Sequence, residues 1–145
     1  MREILFRGKR ADNGEWIYGS LLNVMGVKQP YCLMFGSKFL FSGGVAKAMQ
    51  HACVDPETVG QFTGLLDKNG KRIFEGDIIR HIGGNPNSKI REIGFVFWDE
   101  NRCGWQRTSN GAFYHGEIDT YHLSTRCVYE IIGNIHDSPE LLKGE

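Results

Sequence analysis

The residues best equipped for chemistry sit near the N-terminus, where basic and aromatic side chains interleave. Phe6-Arg7-Gly8-Lys9-Arg10 is followed at short range by Trp16 and Tyr18. Cations neutralise phosphates and flat rings stack on unpaired bases. Arg7, Lys9, Arg10, Trp16 and Tyr18 therefore make a candidate nucleic-acid-binding set, and Lys71, Arg72 and Arg80 can extend it. The same residues also suit a solvated hairpin whose Trp16 belongs to a core.

A second candidate is Glu75-Gly76-Asp77, two carboxylates beside a glycine, with Asp67 and Asp55 close in sequence. Paired carboxylates bind hard cations or divide acid and base roles. Turn chemistry accounts for the same residues, since glycine reverses a strand and aspartate accepts nearby amides. Gln61, on an expected strand with Thr58 and Thr63, is a candidate ligand contact or a simple ladder residue.

Five histidines and four cysteines prompt a search for zinc. His51-Ala52-Cys53 would put two ligands on one strand face, and His115 with His122 or Cys103 would complete a tetrahedron. No pair has zinc-finger or ribbon spacing, and H-E-x-x-H is absent. Nothing marks a cysteine as an activated nucleophile. There is no P-loop, no G-x-G-x-x-G and no G-x-S-x-G. The sequence thus names no catalytic residue, no metal ligand and no cofactor.

The elements that must position these residues come from a chain of ordinary composition. Its 145 residues are 41% hydrophobic and 23% charged. That length suits one domain, able to bury roughly 70% of its unfolded surface. Seventeen basic and seventeen acidic side chains cancel, so any pull towards nucleic acid or an anionic membrane needs a local patch. Apolar runs fall short of the ~20 residues of a membrane helix. Met1 to Arg7 carries no long apolar stretch or small-residue cleavage site, so no signal peptide is expected. A cytoplasmic location with reduced thiols at Cys32, Cys53, Cys103 and Cys127 follows.

Nineteen glycines among β-branched and aromatic clusters favour strands and turns. Glu3 to Arg7 and Glu15 to Leu22 flank Asp12-Asn13-Gly14 and read as a hairpin. Pro30 to Phe41 reads as another, and Val45 to Val54 is helix or strand. Asp55-Pro56-Glu57 is a turn and Thr58 to Thr63 a strand. Asp67-Lys68-Asn69-Gly70 reverses the chain into Lys71 to Phe74, and Asp77 to Arg80 follows the Glu75-Gly76 turn. Gly83 to Asn87 reads as a loop. Ile90 to Trp98 places Ile93, Phe95 and Phe97 on one face. A turn at Asp99 to Gly104, a short strand at Trp105 to Arg107, a mixed segment at Tyr114 to Leu123 and a strand at Cys127 to Ile135 come next. Ser138 and Pro139 should start one or two helical turns. The pattern is mainly β with minor α.

The central run from Val54 to Ile79 carries a resemblance. Thr58-Val59-Gly60-Gln61, the Asp67-Lys68-Asn69-Gly70 turn and Glu75-Gly76-Asp77-Ile78 are similar to the core of the YopX family. Phe6-Arg7-Gly8-Lys9 with Glu15 to Gly19, and Glu130 to His136 with Pro139 to Leu142, resemble its two flanking signatures. The resemblance implies a phage or prophage origin and a single domain over 1–145. Within it, residues 55–136 would form an SH3-like β-barrel, with a β-rich part over 1–54 packed on it and a short helical tail over 137–145. It transfers no catalytic residue. Together with the neutral charge and the aromatics, it leads to the expectation of a non-catalytic protein-interaction or self-assembling module. The expected partner is a second copy or another phage or host protein. A nucleic-acid-binding small barrel and an enzyme using Glu75 and Asp77 are the alternatives.

Overall fold

The computed structural model describes residues 1–23, 32–35, 53–82, 92–114 and 117–143. Eleven strands dominate the described residues: β1 Phe6–Lys9, β2 Trp16–Asn23, β3 Cys32–Phe35, β4 Cys53–Val54, β5 Gly60–Leu66, β6 Arg72–Phe74, β7 Asp77–Ile82, β8 Ile93–Asp99, β9 Gly104–Tyr114, β10 Glu117–His122 and β11 Val128–Asn134. Helix among the described residues is confined to two 3-10 turns, Pro56–Thr58 and Pro139–Leu142. The strands form two antiparallel sheets, of order β4-β3-β2-β1-β5-β6 and β10-β9-β8-β7-β11. The second order is open, and the described pairings do not close it into a barrel. The chain divides into two compact units, Met1–Phe62 and Thr63–Glu145.

In the first unit, the turn at Asp12-Asn13-Gly14 joins β1 to β2. Gly14 adopts a φ of 72°, a value that costs a side-chain-bearing residue a steric penalty. The Asn13 side chain accepts the Glu15 N–H. This fixes the register, pairing Arg7 with Tyr18 and Lys9 with Trp16. Period-two alternation then sends Phe6 and Ile17 to the opposite face, where they pack with Leu21 and Val59 against buried Val54. Asp55 accepts the Glu57 N–H, with Pro56 setting the 3-10 turn that delays the start of β5 to Gly60. Thr58, expected on that strand, instead caps the neighbouring edge. Its hydroxyl accepts the Lys9 N–H and donates to the Asp55 carbonyl. The expected hairpin at 30–41 and the segment at 45–54 lie largely outside the described residues.

In the second unit, the Asp67 carboxylate accepts the Asn69 and Lys71 N–H groups and Gly70 supplies a φ of 79°. Their joint effect is the tight reversal between β5 and β6. The Glu75-Gly76 turn works similarly, with Gly76 at φ 83° and Asp77 accepting the Phe74 N–H. The core is Ile73, Ile79, Val96 and Tyr129, with Leu65, Trp105, Leu123, Cys127 and Ile131 packed against it. Ile73, Ile79 and Val96 are fully buried, each contributing roughly 1.5–3 kcal/mol of apolar transfer free energy.

Two details differ from expectation. On β8 the buried residues are Gly94 and Val96, while Ile93, Phe95 and Phe97 are half-buried. The strand is covered on both faces, so alternation alone misassigns its deeper side. The 3-10 turn at Pro139–Leu142 has no side-chain cap from Ser138. Asn134 performs that task one turn earlier, accepting the His136 and Asp137 N–H groups.

Candidate functional site

The β1–β2 register gathers four of the five residues expected to contact nucleic acid. Arg7, Lys9, Trp16 and Tyr18 share one face because cross-strand partners point the same way. The Arg7 guanidinium lies 4.7 Å and the Lys9 ammonium 5.5 Å from the centroid of the Trp16 ring. Each contact is worth about 0.5–1 kcal/mol where solvent reaches it, and more where it does not. Tyr18 is exposed, whereas Arg7 is 7% exposed. Arg10 is held elsewhere. It pairs with Asp12 through Nε at 2.9 Å and approaches Glu15 at 3.8 Å.

The other sequence candidates are dispersed. Gln61 pairs with Phe6 across β1 and β5 and is half-buried. Asp77 is 1% exposed and bonded within its own turn, and neighbouring Glu75 is half-buried. Lys71 and Arg72 are exposed, while Arg80 bonds Glu130 at 3.1 Å. Of the zinc candidates, His51 and His115 lie outside the described residues. Cys53, Cys103 and Cys127 carry no disulfide. No group of three or more histidine, cysteine or acidic side chains converges among the described residues.

A cluster that sequence reasoning did not pick out lies on β8–β10. Val96 pairs with Arg107 and Trp98 with Trp105, and Tyr121 pairs with Arg107 on the other side, so all five share one face. Trp98 meets Trp105 edge-on at 5.1 Å, in the geometry that ring quadrupoles favour. The Arg107 guanidinium sits 4.9 Å from the Tyr121 ring and bonds Glu92 at 2.8 Å. Inside this rim, burial and the Arg107 charge push the His81 imidazole below its usual range, with Glu92 opposing. Trp98 and Tyr121 are 44% and 42% exposed. The alternation Val96-x-Trp98 and Trp105-x-Arg107 was the available signal. It was obscured by the parallel alternation of Ile93, Phe95 and Phe97.

On the opposite face, fully buried Gln106 donates through Nε2 to Nδ1 of exposed His122. The amide oxygen of Gln106 has no hydrogen-bond partner.

The fold thus defines a small, antiparallel β protein of two sheets with little helix. Comparison with known proteins is more specific. The profile of the YopX protein family matches residues 5–143, so the chain belongs to that family. Among solved structures, the chain is similar to protein EF1440 from Enterococcus faecalis. Identity is 21% and the TM-score 0.43, covering 98% of this chain and 99% of that one. No curated protein matches the sequence. No helix among the described residues is long and apolar enough to cross a membrane.

Proposed function

We propose that this YopX-family chain is a non-catalytic interaction module. Its contact surface is the pair of exposed rings Trp98 and Tyr121 on β8–β10, backed by Trp105 and buried Arg107. The observation that carries this reading is the exposure of Trp98 and Tyr121, each fixed by a neighbour on the same sheet face. Trp, Tyr and Arg dominate the energetics of protein interfaces, and side chains already held in place lose little entropy on binding. The reading keeps an SH3-like architecture for the second unit, supported by the β7-β8-β9-β10 meander with β11 returning beside β7. It also keeps the phage or prophage origin that the resemblance implies.

Photocrosslinking tests it. Replacing Trp98 by benzoylphenylalanine should yield a discrete crosslinked species in the native cells, either this chain or another protein. The same replacement at exposed Lys71 should not. Absence of any species specific to position 98 would remove the proposal.

A second reading rests on the other cluster. The Arg7–Trp16–Lys9 stack with exposed Tyr18 favours a single-stranded nucleic acid, because it joins cations to a ring on one sheet face. Affinity for an unstructured oligonucleotide should then fall with salt and drop on Lys9→Ala. No binding at low ionic strength would end this reading.

A further inference from the structure

His81 on β7 is half-buried and stands at the inner end of a run of contacts that reaches the surface. Its N–H donates to the Glu92 carbonyl at 2.8 Å, continuing the register that pairs Arg80 with Ile93. The His81 and Glu92 side chains therefore share one sheet face. The Glu92 carboxylate commits Oε2 to the Arg107 guanidinium at 2.8 Å, and that guanidinium lies over the Tyr121 ring at 4.9 Å. Tyr121 is one of the two exposed rings of the proposed contact surface. Among the described residues, neither the His81 ring nor Oε1 of Glu92 makes a hydrogen bond.

We propose that His81 is a proton switch for this surface. An imidazolium at position 81 takes the uncommitted oxygen of Glu92, repels the Arg107 guanidinium and loosens its hold on Tyr121. The proposal rests on the reading of Trp98 and Tyr121 as a contact surface and adds its regulation. The surface is set at neutral pH and released in mild acid.

Charge decides the direction. With His81 neutral, one cation meets one anion. The proton places a second cation beside the same carboxylate, in surroundings that screen charge poorly. The ionisable groups facing His81 among the described residues are Glu92 from β8, Arg107 from β9 and Tyr129 from β11, with Cys127 bonded to Tyr129. Tyr129 brings no second negative charge, since burial raises its hydroxyl above the ordinary value. Arg80, the preceding residue on β7, is held by Glu130 on the other face. Only 6% of the Arg107 side chain is exposed, and fully buried Val96 is its strand partner on the same face. Repulsion therefore moves the guanidinium outward, against Tyr121. Burial and the Arg107 charge disfavour the proton on His81, with Glu92 opposing, so the ring charges only below its ordinary value of about 6.5.

NMR of the isotopically labelled full chain tests the switch, with the His81 ring, the Arg107 Nε–H and the Tyr121 ring followed from about pH 7.5 to 5. The Arg107 and Tyr121 signals should shift with the same midpoint as His81. In His81→Phe both should keep their neutral-pH positions throughout. Arg107 and Tyr121 signals that stay still while His81 titrates would overturn the switch, and this reading needs no variant. Signals that move equally in His81→Phe would overturn it too. Crosslinking from position 98, repeated in lysates at about pH 7.5 and 5.5, should fall several-fold in acid and hold steady in a His81→Phe background. A specific crosslink of equal yield at both pH values overturns the switch alone and leaves the proposed function standing. Coupled NMR signals with no crosslink at either pH remove the contact surface and leave the coupling of His81 to Tyr121 in place.

Discussion

The Asp67 carboxylate accepts the backbone N–H of Ile131, 64 residues later, at 3.3 Å. The same group already holds the Asn69 and Lys71 amides, and the adjacent Lys68 N–H donates to the Tyr129 carbonyl at 2.8 Å. One buried side chain therefore closes the β5–β6 turn and ties it to β11.

Asp67 should make stability acid-sensitive. Burial alone would raise its carboxyl, but the Lys71, Asn69 and Ile131 amides outweigh burial and hold it below its usual value. A carboxylate depressed in the folded state contributes stability above the unfolded pKa of about 3.9, and the contribution is lost as pH falls through the folded value. Asp67→Asn keeps one acceptor oxygen and loses the charge, at a cost of about 1–3 kcal/mol. Urea midpoints measured between neutral pH and pH 3 should converge for the two proteins at the acid end. Parallel curves would show that Asp67 is not the linked group.

Gly94 is needed for space. A Cβ there would lie 1.7 Å from the Thr108 carbonyl oxygen, which is backbone and cannot swing aside. Gly94→Ala should therefore push β8 from β9 and cost about 3 kcal/mol, the upper end for overpacking. Thermal denaturation checks it, with Gly64→Ala as a contrast. Position 64 has no atom within 4 Å and is disfavoured only by its φ of 91°. Equal losses at the two glycines would contradict the steric account.

What was legible in the sequence was local. The turns at Asp12-Asn13-Gly14, Asp67 to Gly70 and Glu75-Gly76-Asp77 are written in Asx and glycine chemistry, and hairpin register then placed Arg7, Lys9, Trp16 and Tyr18 together. Arg10 is drawn away from that face by neighbours that are local too, since Asp12 and Glu15 lie within reach. The β8–β10 rim was not legible. Its arginine is buried only because Glu92 and Tyr121 flank it, and neither neighbour is implied by a helix or strand period. Strand β9, expected as Trp105 to Arg107, runs from Gly104 to Tyr114. Its extension depends on pairing with β8 and β10 rather than on propensity.

The Arg107–Glu92 pair should matter more than a surface ion pair. The Arg107 side chain is 6% exposed and that of Glu92 26%. Glu92→Gln strands a buried guanidinium and should cost about 2 kcal/mol, less than for a fully buried pair because water still reaches position 92. Arg107→Met removes the charge and keeps much of the volume. The double variant should recover part of the Glu92→Gln loss, a coupling readable in a denaturation cycle. Strict additivity would mean the two groups do not interact.

His81 gives a second, separate pH window. Its ring packs at 5.7 Å from Tyr129, and burial with the nearby Arg107 disfavours its protonation, Glu92 acting the other way. A histidine whose folded pKa is depressed binds its proton more readily when unfolded. Stability is then fully present above the unfolded value of about 6.5, falls as pH drops through it, and levels off below the folded value. His81→Phe keeps a ring against Tyr129 without the proton. Its urea midpoint should be flatter than wild type between about pH 7.5 and 5, a range above the one in which Asp67 titrates. In a Glu92→Gln background the opposing carboxylate is gone, so the wild-type dependence on His81 should steepen. Identical slopes with and without His81 would sink this account.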